Sequence, residues 1–260
     1  MVDVDARLES LLRRERALTL AALAVLVALA WIYFVRVGRE MTAMADMGMA
    51  VDPWTARDAA LAAVMWAAMM VAMMVPAAAP MILMFTGLNR RRRAAGQPPH
   101  VDTALFVAGY LAMWTAFSIA AAAGQWALQR AALLGDDAMA ATPFVAAALL
   151  VVTAIYQVTP LKYACLARCR TPLGFLMTEW REGSAGAFVM GLRHGLFCLG
   201  CCWALMTLLF VGGVMNLAWV AVLTVFVLIE KLIPAGRLVS WASAGLLLLW
   251  AAWIVLHATR

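Results

Sequence analysis

Charge is what this chain has least of. Charged residues make up 13% of its 260 residues, while hydrophobic ones make up 66%. A soluble domain of this length carries far more charge on its surface. Other absences narrow the function classes. There is no phosphate-binding loop and no nucleotide fold, so nothing points to a nucleotide partner or to nucleotide-driven work. No HExxH pattern is present, which removes the zinc-protease helix. The three histidines, His100, His194 and His257, lie too far apart for a local histidine cluster. The carboxylates cluster in loops rather than on one helix face, and neither an internal repeat nor a second, soluble domain is visible.

What is present is a series of long apolar runs, with a mean hydropathy of +0.90 over the chain. Runs of roughly 18 or more apolar residues cross a hydrocarbon core as helices. A helix satisfies its own backbone hydrogen bonds there, so an all-α integral membrane bundle is expected. About seven spans are read, at Ala17–Val35, Ala59–Phe85, Thr103–Leu128, Phe144–Leu161, Ala187–Val211, Leu217–Pro234 and Leu238–His257. Residues 1–16 read as a cytoplasmic N-terminal segment and 17–260 as a single polytopic membrane domain. The first run is too long for a signal peptide and continues into Trp31-Ile32-Tyr33-Phe34, so it reads as an uncleaved anchor. The weakest span is the fourth, where one helix more or fewer would invert everything after it.

The net charge of +6 fits the positive-inside bias of a bacterial inner-membrane protein rather than a nucleic-acid surface. With the N-terminus in the cytoplasm, only Arg36, Arg39, Arg57, Arg130 and Arg260 of the 20 basic residues fall outside. The long loop Lys162–Gly186 is then cytoplasmic, and the C-terminus lies on the far side.

Against this apolar background a few residues could carry chemistry. His194, Cys198 and Cys201 stand at i, i+4 and i+7, which is one stripe of a helix, with Cys202 at its edge. Imidazole and thiolate bind copper(I) and zinc(II) tightly, and thiolate with thioether selects the softer copper(I). Gly195 and Gly200 would let a neighbouring helix approach closely. A single cysteine in such a helix packs as a small hydrophobe. Three cysteines and a histidine on nearly one face favour a site.

Methionine is abundant, with 18 residues. Met69/Met73 and Met70/Met74 form two i, i+4 pairs in the second run, either as soft ligands or as adaptable apolar filler. Met41, Met44, Met47 and Met49 recur in an outer loop, and methionine clusters of this spacing resemble those of copper-uptake and copper-resistance proteins. Capture of copper(I) and an amphipathic helix lying on membrane lipid are the two readings there. Cys165 and Cys169 would share a face if their segment is helical, beside Lys162, Arg168 and Arg170. They read as a soft-metal exit site or as an idle reduced pair. Glu230-Lys231 interrupts the sixth run, and an Arg193–Glu230 ion pair across helices is expected as packing.

The string from His194 to Trp203 resembles the signature of a bacterial family of predicted metal-binding integral membrane proteins, domain of unknown function 2182. The resemblance extends to Met69–Pro76 with Pro80-Met81, to Thr159–Lys162 with Cys165–Arg170, and to Glu230-Lys231. It implies metal binding, and some members are described as copper chaperones.

The combined expectation is a relay for copper(I), with zinc the competing ion. Met41, Met44, Met47 and Met49 collect the ion. Met69, Met70, Met73, Met74, His194, Cys198, Cys201 and Cys202 hold it, and Cys165 and Cys169 stand at the cytoplasmic end. The partner would be a copper chaperone or a membrane cuproprotein. Two alternatives stand beside it. One is a membrane thiol-disulfide redox enzyme using Cys198, Cys201 or Cys202 with His194 as base, although adjacent cysteines form strained disulfides and no thioredoxin-like motif is present. The other is a structural or assembly subunit without metal.

Overall fold

The structure, a computed structural model, describes residues 2–46, 55–96, 103–135, 140–233 and 236–259. Helices α1 (Val2–Asp46), α2 (Ala56–Ala94) and α3 (Thr103–Arg130) come first. After them come α4 (Pro143–Gln157), α5 (Pro160–Arg170) and α6 (Pro172–Glu179). Helices α7 (Gly183–Thr207), α8 (Leu209–Gly212), α9 (Leu217–Leu232) and α10 (Gly236–Ala258) complete the chain. No strand occurs among the described residues beyond one isolated bridge, Leu134 to Ala141.

Local chemistry explains the starts. Thr55 and Asp58 cap α2 reciprocally, each accepting from the other's backbone N–H at 3.3 and 2.9 Å. Prolines open α4, α5 and α6, where the missing N–H costs nothing.

Five helices are long and apolar enough to cross a membrane: Arg16–Glu40, Ala56–Arg92, Thr103–Arg130, Gly183–Gly212 and Arg237–Ala258. The count rises to six if the bent pair Pro143–Gln157 and Pro160–Arg170 is one span. Five or six of the seven expected spans thus meet length and composition, and two physical features set the others apart. The fourth run breaks because Pro160 has no N–H to continue α4, while Thr159 caps the next helix by accepting from Lys162 N–H at 3.3 Å. The chain turns by 67° there. The sixth run forms α9, whose 16 residues rise only about 24 Å, short of the ~30 Å hydrocarbon core. The segment read as a long loop from Lys162 contains two helices, α5 and α6.

Helix α7 is the centre of the bundle, packed by α3 on one side and α5 on another. Apolar side chains gain little by leaving lipid for protein, so close approach matters more than greasiness. Glycines provide that approach. A Cβ on Gly191 would stand 1.9 Å from the Phe106 carbonyl oxygen, and one on Gly109 would stand 2.0 Å from that of Phe188. Gly195 lies against Met113 and Tyr110 in the same crossing, as expected of it. Helix α2 lies on α1, α3 and α9, and α4 on α10. Polar ties cross the bundle: Trp66 Nε1 donates to Gln125 at 2.7 Å, and Thr153 Oγ1 donates to the Ala204 carbonyl at 3.0 Å.

Candidate metal centre

The i, i+4, i+7 stripe exists and faces inward. His194, Cys198, Cys201 and Cys202 on α7 are all buried, in a helix whose other face carries the exposed Arg193 and Leu196. All five cysteines of the chain are free thiols.

Helix α5 closes on this stripe. Cys169 lies close enough to Cys198 and Cys201 for its thiol to interact with both. Cys165, one turn earlier, rests on Gly200, where a Cβ would stand 2.7 Å from its sulfur. The pair placed by sequence at the cytoplasmic end of a relay thus lies against the α7 cysteines. Tyr156 binds α4 to the same turn by donating to the Gly200 carbonyl.

From the opposite side come α2, α3 and α9. Tyr110 O–H donates to the Met74 carbonyl at 3.0 Å, and its oxygen is 3.2 Å from Cys198 Sγ. Lys231 Nζ donates to Cys198 Sγ at 2.9 Å and reaches Met74 Sδ at 3.7 Å. Three helices therefore meet at one sulfur, and α2 is tied to it through Tyr110 and Lys231.

His194 sits in an aromatic box. Its ring centroid is 5.4 Å from that of Phe175, 5.7 Å from Tyr110 and 6.1 Å from Phe106. Its Nδ1 is buried and has no hydrogen-bond partner. A buried polar atom without a partner costs about 1–3 kcal/mol. With the ring proton on Nε2, Nδ1 offers a lone pair to a ligand.

Met69, Met70 and Met73 are fully buried along α2, as is Met74, whose sulfur accepts from Lys231 at 3.7 Å. Met41 and Met44 fall in the last turns of α1. Met47 and Met49 lie outside the described residues.

The donors are gathered but not yet arranged as a cage. Among the described residues no group of three or more His, Cys, Asp or Glu side chains is set to hold a metal as it stands. The reason lies in the thiol rotamers: Cys201 and Cys202 each donate S–H to the Cys198 carbonyl at 3.0 Å. Their sulfurs are turned onto the helix backbone, a local alternative that ligation would have to displace. Loading a soft metal here requires loss of thiol protons and a rotamer change.

Two polar features were misread or missed in the sequence. The expected Arg193–Glu230 pair does not form. Arg193, on the exposed face of α7, pairs with Glu179 of α6, and Glu230 pairs with Lys162. This second pair is buried and joined by Gln157, Ser240 and Ser243, linking α4, α5, α9 and α10. Glu230 and Lys231 are neighbours on α9 yet serve separate centres. The signal for both was the charge inside an apolar run; their partners were not readable from it.

Fold and site together define an all-α protein with several helices able to cross a membrane, built round a buried cluster of thiols, a thioether and an imidazole. Residues 63–254 match the family PpoB2, copper chaperone, and the chain belongs to that family. No curated protein and no solved structure matches the chain.

Proposed function

We propose that this copper-chaperone-family protein binds copper(I) within the bacterial inner membrane and hands it to a partner. The observation that carries the reading is the buried α7 face of His194, Cys198, Cys201 and Cys202, with Lys231 and Tyr110 at the Cys198 sulfur, Cys165 of α5 against Gly200, and an unpartnered His194 nitrogen. Thiolate, thioether and imidazole in an apolar enclosure suit a soft monovalent ion. The proposed ligands are His194, Cys198, Cys201 and Cys202, with Cys165 and Cys169 from α5 and the α2 methionines Met69, Met70, Met73 and Met74. Met41, Met44, Met47 and Met49 would collect the ion at the outer end of the first span. An N-terminus in the cytoplasm and seven spans belong to the same reading, as does the resemblance to the predicted metal-binding membrane proteins. With no nucleotide-binding element in the sequence, movement is exchange between ligand sets.

The test is an anaerobic metal count on purified protein by mass spectrometry. Stoichiometric copper that falls away in Cys201→Ser and His194→Ala supports the reading. Zinc in its place would change the cargo. A metal-free protein with a cycling disulfide would replace the reading with a thiol-redox enzyme.

A further inference from the structure

Lys231 is a buried cation with no carboxylate of its own. It is 6% exposed, and its ammonium donates to two sulfurs, Cys198 Sγ and Met74 Sδ. The one acidic side chain beside it in sequence, Glu230, turns the other way and is held by Lys162, Gln157 and Ser240. Arg92–Glu182, Arg168–Glu179 and Arg193–Glu179 also pair, and none of these involves Lys231. A buried charge is tolerated when something of opposite sign stands beside it. Of the two sulfurs Lys231 touches, a thioether cannot carry negative charge and a cysteine sulfur can.

Charge counting then gives the lysine a role. A copper(I) ion bound by two thiolates forms a unit with one net negative charge. An ammonium beside it brings the enclosure to neutrality. A divalent ion on the same two sulfurs would leave the enclosure positive. The second sulfur is available from Cys201, whose thiol lies 3.0 Å from the Cys198 carbonyl on the same face of α7, or from Cys169 of α5, the helix packed on α7.

We propose that Lys231 is the counter-cation of a two-thiolate copper(I) site centred on Cys198, and that its fixed charge favours copper(I) over zinc(II). This rests on the copper(I) reading above and assigns a specificity-determining residue to it. On loading, copper(I) bonds to two sulfurs, any remaining thiol proton on them leaves to solvent, and no electron is transferred.

The experiment measures copper(I) and zinc(II) affinity by anaerobic chelator competition on the full-length protein in detergent. Wild type, Lys231→Met, Lys231→Gln and Lys231→Arg are compared, each checked for helix content. The neutral variants are expected to lose at least about tenfold in copper(I) affinity, and to lose much less or none for zinc(II). Lys231→Arg keeps the charge and is expected to retain most of the preference, which a purely packing role would not predict. Folded neutral variants with an unchanged copper-to-zinc ratio overturn the inference. Should both neutral variants fail to fold, X-ray absorption at the copper edge of the wild type decides: two thiolate sulfurs support it, and three overturn it. A wild type that takes up no copper(I) overturns the proposed function itself, whereas wild-type binding matched by Lys231→Met overturns only the role of the lysine.

Discussion

Lys231 Nζ on α9 lies 2.9 Å from Cys198 Sγ on α7, although the two residues are 33 positions apart. Tyr110 of α3 reaches the same sulfur at 3.2 Å, and Met74 of α2 is held by both Lys231 and Tyr110. Any change at Cys198 therefore acts on three helices directly.

Replacing Cys198 by serine is expected to weaken copper(I) binding by more than about 100-fold, above the loss typical of an outer-shell partner. His194→Ala should weaken it less, because the ring is already confined by Phe175, Tyr110 and Phe106 and donates through one atom. Chelator competition under anaerobic conditions gives both values. Equal affinity in Cys198→Ser and wild type would remove Cys198 from the ligand set.

The α3–α7 crossing predicts a sharp contrast between glycines. Gly191→Ala would drive a methyl to 1.9 Å from the Phe106 carbonyl oxygen, so the helices must separate. Overpacking of this kind costs about 1–3 kcal/mol. Gly124→Ala, elsewhere on α3, meets nothing within 4 Å and should be neutral or slightly stabilising. Thermal unfolding in detergent compares the two.

Gly200→Ala is expected to act on the site rather than on the fold as a whole. The new methyl would meet Cys165 Sγ at 2.7 Å, so either that side chain turns away or α5, with Cys169, shifts from α7. Alkylation of Cys169 by a small maleimide should then be faster than in wild type. An unchanged rate would mean that α5 absorbs the methyl without moving.

The buried Lys162–Glu230 pair ties α5 to α9. Glu230→Gln leaves Lys162 without its counter-charge at 0% exposure, and breaking a buried pair in this way costs about 3–5 kcal/mol. Lys162→Met with Glu230→Leu removes both charges and should recover much of that loss. A double-mutant cycle on unfolding midpoints measures the coupling; strict additivity would show that the two residues act separately.

The number of crossings is open to a direct assay. Seven spans with a cytoplasmic N-terminus place the C-terminus outside; six place both ends on one side. A periplasm-active reporter fused after residue 259 separates an even from an odd number of crossings, and a second fusion between residues 233 and 236 shows whether the 16-residue α9 crosses.

Much of this protein was legible as sequence because hydropathy and helical spacing are local properties. The apolar runs announced the long helices, and the four-residue steps from His194 announced an inward stripe on α7 before any packing was known. Pro160 was equally local, yet its effect depended on Thr159 capping a new helix instead of ending the old one. Which residues meet across helices was not local. Glu230 found Lys162 and not Arg193, because Arg193 lies on the exposed face of its own helix. The position of α7 is set by Gly109, Gly191 and Gly195, whose missing side chains fix how closely and in what register two helices cross. Sequence alone determined that soft donors line one helix of an apolar bundle. Only the tertiary structure decided that α5 would bring Cys169 to them and that α9 would bring Lys231, since a charge inside a bundle must be answered by whatever the packing places beside it.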